Sequence, residues 1–262
     1  MKKISIFAVS ALMLVSFSYN GDSSKKGLLK GEEVKIHGGK GWSWAKVSKK
    51  GNPESVGFTL TDEALASVPL GNGTGGHNAH GPAHEHWIAK FNPIAGTVIP
   101  FNFVMLNWNP NGHPPENIYD KPHFDFHFYM ISLKEQLAIP SYEDASSLFD
   151  NLPPAEYLPS LYFRGPGGVP QMGVHWVDIL SPEFNGGDFT TTFLYGSYDG
   201  KVTFHEPMVT MNVIESGATI HKDIRQPQLF SLSNRYFPTE YSIWKDSRTG
   251  RHYLSLNTMV LR

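Results

Sequence analysis

Residues 122–131 read Pro-His-Phe-Asp-Phe-His-Phe-Tyr-Met-Ile, an aromatic residue at every second position. Side chains alternate faces along a β-strand and do not do so along a helix. The tract is therefore a strand, with Phe124, Phe126, Phe128 and Met130 on an apolar face that needs a second layer to cover it. His123, Asp125, His127 and Tyr129 share the opposite face. In an ordinary half-buried antiparallel sheet that face meets water, but such faces favour Lys, Glu, Thr and Ser. Two histidines bracketing an aspartate are instead a row of metal ligands or proton-transfer groups.

Spacing limits how the row can be used. His123 and His127 stand about 13 Å apart along an ideal strand, too far to share one ion bound at ~2.0–2.1 Å. Neighbours two residues apart, His123 with Asp125 or Asp125 with His127, are about 6.6 Å apart and chelate comfortably. Both histidines would serve one ion only if the strand bulges. Otherwise one is a ligand and the other orients or catalyses. His175, alone in the apolar stretch Met172–Trp176, and Glu206, at a strand end before Pro207, complete the candidate set. A divalent ion, zinc first, is the expected cofactor of His123, Asp125, His127, His175 and Glu206. The competing account is a solvated polar face joined to a buried hydrogen-bond network.

A second histidine cluster occupies the glycine-rich tract 71–86, with His77, His80, His84 and His86. His84 and His86 would share a strand face, and the two clusters would merge if this strand paired beside 123–131. Flexible histidine-rich tracts also bind metals weakly without function. The chain has no Gly-x-Ser-x-Gly, no phosphate-binding Gly-x-x-x-x-Gly-Lys, no His-Glu-x-x-His and no dinucleotide-binding glycine fingerprint. The His-x-His spacings of cupins and of α-type carbonic anhydrases do not fit either.

Lys2 and Lys3 precede the uncharged run Ile4 to Phe17, and small residues follow at Ser16 and Ser18. This is the pattern of a secretory signal peptide, predicted over residues 1–18. As a helix the run would span only about 21 Å, against a bilayer core of roughly 30 Å. The expected address is periplasmic or secreted, with no membrane insertion after cleavage. Export favours disulfides, yet the chain has no cysteine. Histidine and carboxylate are then its strong metal ligands. A net charge of −2 provides no electrostatic footprint for nucleic acid.

Residues 19–38 are polar and charged and read as a tether, leaving 39–262 as a single domain. Thr61 with Asp62 and Glu63 opens a short helix stopped by Pro69. Leucines at 133, 137, 148 and 152 mark a helical insert over 132–160. Hairpins are expected around 197–200 and 246–250. The predicted fold is mainly β with a short helical insert (α+β), as an antiparallel sandwich or a barrel-like sheet.

The stretches Val56–Leu60, Asn107–Pro115, Tyr119–Asp120, Pro122–Tyr129, Tyr195–Gly200 and Glu206–Thr210 resemble an uncharacterised family of exported bacterial proteins. The chain is similar to a secreted Thermus member of it under envelope-stress sigma-factor control, from about residue 40 to the C-terminus. The resemblance implies a β-rich fold and an extracytoplasmic location, and brings no established activity. Three functions stay open at this point. One is a metal-dependent enzyme of the envelope, its small-molecule partner unknown. Another is a noncatalytic envelope binding or stress protein whose polar cluster is structural. The third is a homo-oligomeric shell component.

Overall fold

The computed structural model describes residues 27–71 and 85–262. The expected signal peptide, tether residues 19–26, and His77, His80 and His84 lie outside them. No helix among the described residues is long and apolar enough to cross a membrane.

The chain starts as an antiparallel meander, β1 (Leu28–Ile36), β2 (Gly39–Val47) and β3 (Pro53–Thr61). Residues 28–36, expected in the tether, are thus an edge strand. Composition misled here, because the charges at Lys30, Glu32, Glu33 and Lys35 suit an exposed edge, where they deter pairing with another chain. The Thr61 side chain accepts from the Ala64 N–H and caps α1 (Asp62–Ser67), as expected. Next come β4 (Glu85–Lys90), α2 (Pro93–Gly96), β5 (Phe103–Asn109) and β6 (His123–Tyr129). The helical insert follows as α3 (Leu133–Leu137), closed by a Ser132/Glu135 capping box, and α4 (Tyr142–Phe149). Strands β7 (Tyr162–Arg164), β8 (Val174–Asp178), β9 (Thr191–Tyr198) and β10 (Lys201–Thr210) return the chain to β structure. After α5 (Met211–Ser216) come β11 (Ile220–Asp223), β12 (Tyr236–Phe237), β13 (Glu240–Asp246), β14 (Arg251–Asn257) and β15 (Val260–Leu261).

Two open sheets result, β1-β2-β3-β14-β13-β11 and β4-β5-β6-β10-β9-β8-β7, with β12 and β15 as a separate pair. Neither closes into a barrel, so the architecture is a sandwich. The inner faces meet in one core: Phe58 of the first sheet packs edge-on against Phe126 of the second at 6.1 Å, and Tyr241 lies 5.6 Å from Phe193. Phe124, Phe126 and Phe128 point into this core, as their alternation predicts.

His205 faces the same core, opposite to its neighbour Glu206. Its ring sits 5.5 Å from Phe101, 5.6 Å from Phe193 and 4.5 Å from Tyr195. Burial among these rings pushes its pKa down to about 3. Because the unfolded chain binds this proton near pH 6.5, the neutral ring supports the fold fully above that pH, and support is lost as pH falls toward the folded value. Between pH 6.5 and 5.5 the loss from this one group should be about 1 kcal/mol. Urea unfolding of wild type and His205→Leu at the two pH values tests this. Wild type should lose about that much more than the variant, and equal losses would refute it.

Candidate metal centre

The outer face of the seven-stranded sheet carries the polar residues. Alternation puts Met105, Asn107 and Asn109 of β5 on it, beside His123, Asp125, His127 and Tyr129 of β6. The pairs Met105↔His127, Asn107↔Asp125 and Asn109↔His123 place them directly across from one another. On β10, Glu206 lies between the pairs His205↔Phe128 and Met208↔Asp125, which sets it across from His127. His175 of β8 pairs with Gly196, and Gly196 with Phe204, so His175 reaches Glu206 on the diagonal. Gly196 is needed there. A Cβ at that position would lie 2.0 Å from the Phe204 ring, which itself packs on His127 and His175.

Most of this face is shut away from water, though His175 is only partly covered. His123 and His127 are 0% exposed and Asp125 is 4%. The covering layer comes from the loop after β5 and from residues 164–172. The Gln136 side chain of α3 donates to the Gln171 carbonyl at 2.8 Å, and the Tyr129 hydroxyl donates to the same carbonyl at 3.0 Å. Between layer and sheet lies a cavity of about 680 Å³, bordered by both candidate clusters.

The five expected residues do not converge on one point. They divide between two groups, the first completed by His113, and each group has two histidines and one carboxylate whose ligand atoms lie within 4.8 Å of one another. In the first, Asp125 stands 3.1 Å from His123 Nε2 and 3.5 Å from His113 Nε2. In the second, Glu206 stands 3.3 Å from His127 Nε2 and 3.5 Å from His175 Nε2. Ligand atoms bound at 2.0–2.1 Å in a tetrahedral shell are separated by about 3.3–3.4 Å. The histidine-to-carboxylate distances in both groups are close to that spacing, and both groups could hold a metal ion.

The hydrogen-bond pattern fits the same use. His123 Nδ1 donates to the Lys121 carbonyl at 2.6 Å, and His113 Nδ1 to the Pro114 carbonyl at 2.7 Å. Each ring therefore turns its Nε2 lone pair toward Asp125, as metal-ligating histidines do. Asn109 Nδ2 donates to Asp125 Oδ2 at 2.6 Å and fixes the carboxylate. His123 Nε2, Asp125 Oδ1, His127 Nε2 and Glu206 Oε2 are buried with no hydrogen-bond partner. Acceptors facing each other this closely are reconciled only by a positive charge between them, a proton or a cation.

Electrostatics separates the groups. Burial penalises the Asp125 carboxylate, but His123 and His113 outweigh that and hold it well below its ordinary range. His113 is raised, because the bond to Asp125 and its charge overcome burial. Burial pushes His127 down to about 4 and His175 to about 3. Burial also raises Glu206, with the charge of Asp125 adding to it. Without a cation these shifts favour neutral rings and the protonated acid in the second group, and a metal ion bound there would favour the carboxylate.

His113 was not legible as a ligand. It sits in the proline-rich connection after β5, where no periodicity assigns it a face. Gly112, at φ +75°, lets that loop close on Tyr119 and Asp120, and a Cβ there would lie 2.2 Å from the Tyr119 carbonyl. His86 lies on β4 at the cavity edge and is exposed. It shares a row with Asp125, but β5 stands between their strands, so the two histidine tracts do not pair directly. The chain matches no family model, no curated protein and no solved structure.

Proposed function

We propose that this chain is an extracytoplasmic metalloprotein that holds a divalent cation, zinc first, at His127, His175 and Glu206, and presents it to a small molecule in the cavity. The observation that carries this reading is the pair of unpartnered buried atoms, His127 Nε2 and Glu206 Oε2, on the wall of a 680 Å³ cavity. Three protein ligands leave a coordination position for water or substrate, the arrangement of catalytic rather than structural zinc sites. An ion there would supply Lewis acidity. The chain's own part is to hold His127 and Glu206 on the adjoining strands β6 and β10, with His175 on β8 beyond β9, and to cover them with residues 164–172 and the loop after β5. The basic start and apolar run of residues 1–17 support the extracytoplasmic address.

Elemental analysis of untagged protein tests the reading. Wild type should carry stoichiometric divalent metal, and His127→Ala should lose the cation of this group while remaining folded. Metal-free wild type that also fails to take up added zinc would refute it. Metal and folding lost together would favour the noncatalytic alternative, in which the same cluster is structural.

A further inference from the structure

The first group remains beyond this reading. His113 and His123 come from a loop and a strand, each with Nδ1 committed to a backbone carbonyl, and each aims Nε2 at a carboxylate that Asn109 holds from the other side. Asp125 and His127 are two residues apart on one strand face, so the two groups are separated by roughly 6–7 Å. Both border one cavity.

We infer that His113, His123 and Asp125 hold a second divalent cation, and that the cavity receives an oxyanion, phosphoryl or carboxylate, carried on an apolar body. This rests on the function proposed above. Two divalent ions carry four positive charges, and their ligand sets contribute only the Asp125 and Glu206 carboxylates. Among the described residues no other acid lines the cavity, and the one full cation there, Arg164, is already paired with Asp150. A surplus of two positive charges in a buried site is costly unless an anion enters with or after the metals. The remaining wall consists largely of Met105, Met172, Val177, Phe184, Leu194 and several prolines, which suits an apolar body and offers little to a sugar or a peptide backbone.

Calorimetric titration of metal-free protein with zinc, and then of the loaded protein with inorganic phosphate and phenylphosphonate, tests this. Wild type should take two zinc ions and His113→Ala one. Loaded wild type should bind phenylphosphonate at least tenfold more tightly than inorganic phosphate. Metal-free protein should bind neither, and His113→Ala should weaken phenylphosphonate binding at least tenfold. His113 lies in a loop, so this variant should fold; Asp125→Asn provides a second removal of the same group. One zinc per chain, unchanged in either variant, would overturn the second cation and leave the proposed function standing. No zinc at all would overturn both. Two zinc ions without phenylphosphonate binding would overturn the oxyanion, and equal affinity for the two anions would overturn the apolar body.

Discussion

Replacing Glu206 with glutamine should leave the metal-free protein as stable as wild type or more so, and should abolish the stabilisation that zinc confers. Glu206 is 1% exposed, and its Oε2 has no hydrogen-bond partner. Burial and the neighbouring Asp125 charge disfavour its ionised form. A residue chosen for the fold alone would not be a buried carboxylic acid with one oxygen lacking a hydrogen bond, and an amide of the same shape removes the ionisation without opening a cavity. The relation reverses when a cation is bound, because the amide cannot supply the negative charge. A ligand that binds only the folded state stabilises by about 4 kcal/mol at a thousandfold excess over its Kd. For a chain of this size that corresponds to a rise in Tm of about 8–16 °C. Thermal unfolding of both proteins with and without zinc should show that rise in wild type and almost none in Glu206→Gln. An equal rise in the variant would remove Glu206 from the ligand set.

The sequence carried the sheet and most of the donors, and it failed on what covers and divides them. The alternation over 123–129 was legible because aromatic rings at every second position have no helical counterpart, and Phe124, Phe126 and Phe128 do enter the core. His175 stood out as a lone histidine in an apolar strand, and Glu206 as an acid before Pro207; the strand end expected there was wrong, because β10 runs on through Pro207 to Thr210 and keeps Glu206 in its interior. That the opposite face is covered was not legible, since its cover comes from loop residues around Pro114 and from 164–172, which show no periodicity of their own. The division into two groups follows from register. Asp125 turns to His123 and His113, while His127 has Glu206 across the ladder, and no single-strand pattern contains that choice. Edge strand β1 was missed for the converse reason: four of its nine residues are charged, and only its partner β2 supplies the ladder.

Truncating Phe128 to alanine should cost about 3–5 kcal/mol of stability and leave metal content unchanged. Its ring is fully buried, stacked 6.2 Å from Phe91 and edge-on to Phe101 at 5.6 Å, at the centre of the layer between the sheets. The neighbours on either side are backbone-paired strands, so the space left by the ring cannot readily collapse, which puts the loss at the severe end for a core truncation. The ligands lie on the other face of the same strand. Their placement is set by the pairing of β6 with β5 and β10, where Val104↔Phe128 and His205↔Phe128 are main-chain partners that survive removal of the ring. Urea unfolding, together with zinc content measured where the variant is still folded, separates the two faces. A cost below 1 kcal/mol would contradict the assignment of Phe128 to the core. A large cost accompanied by loss of zinc from folded protein would mean that inner-face packing, and not strand register, holds the ligands in place.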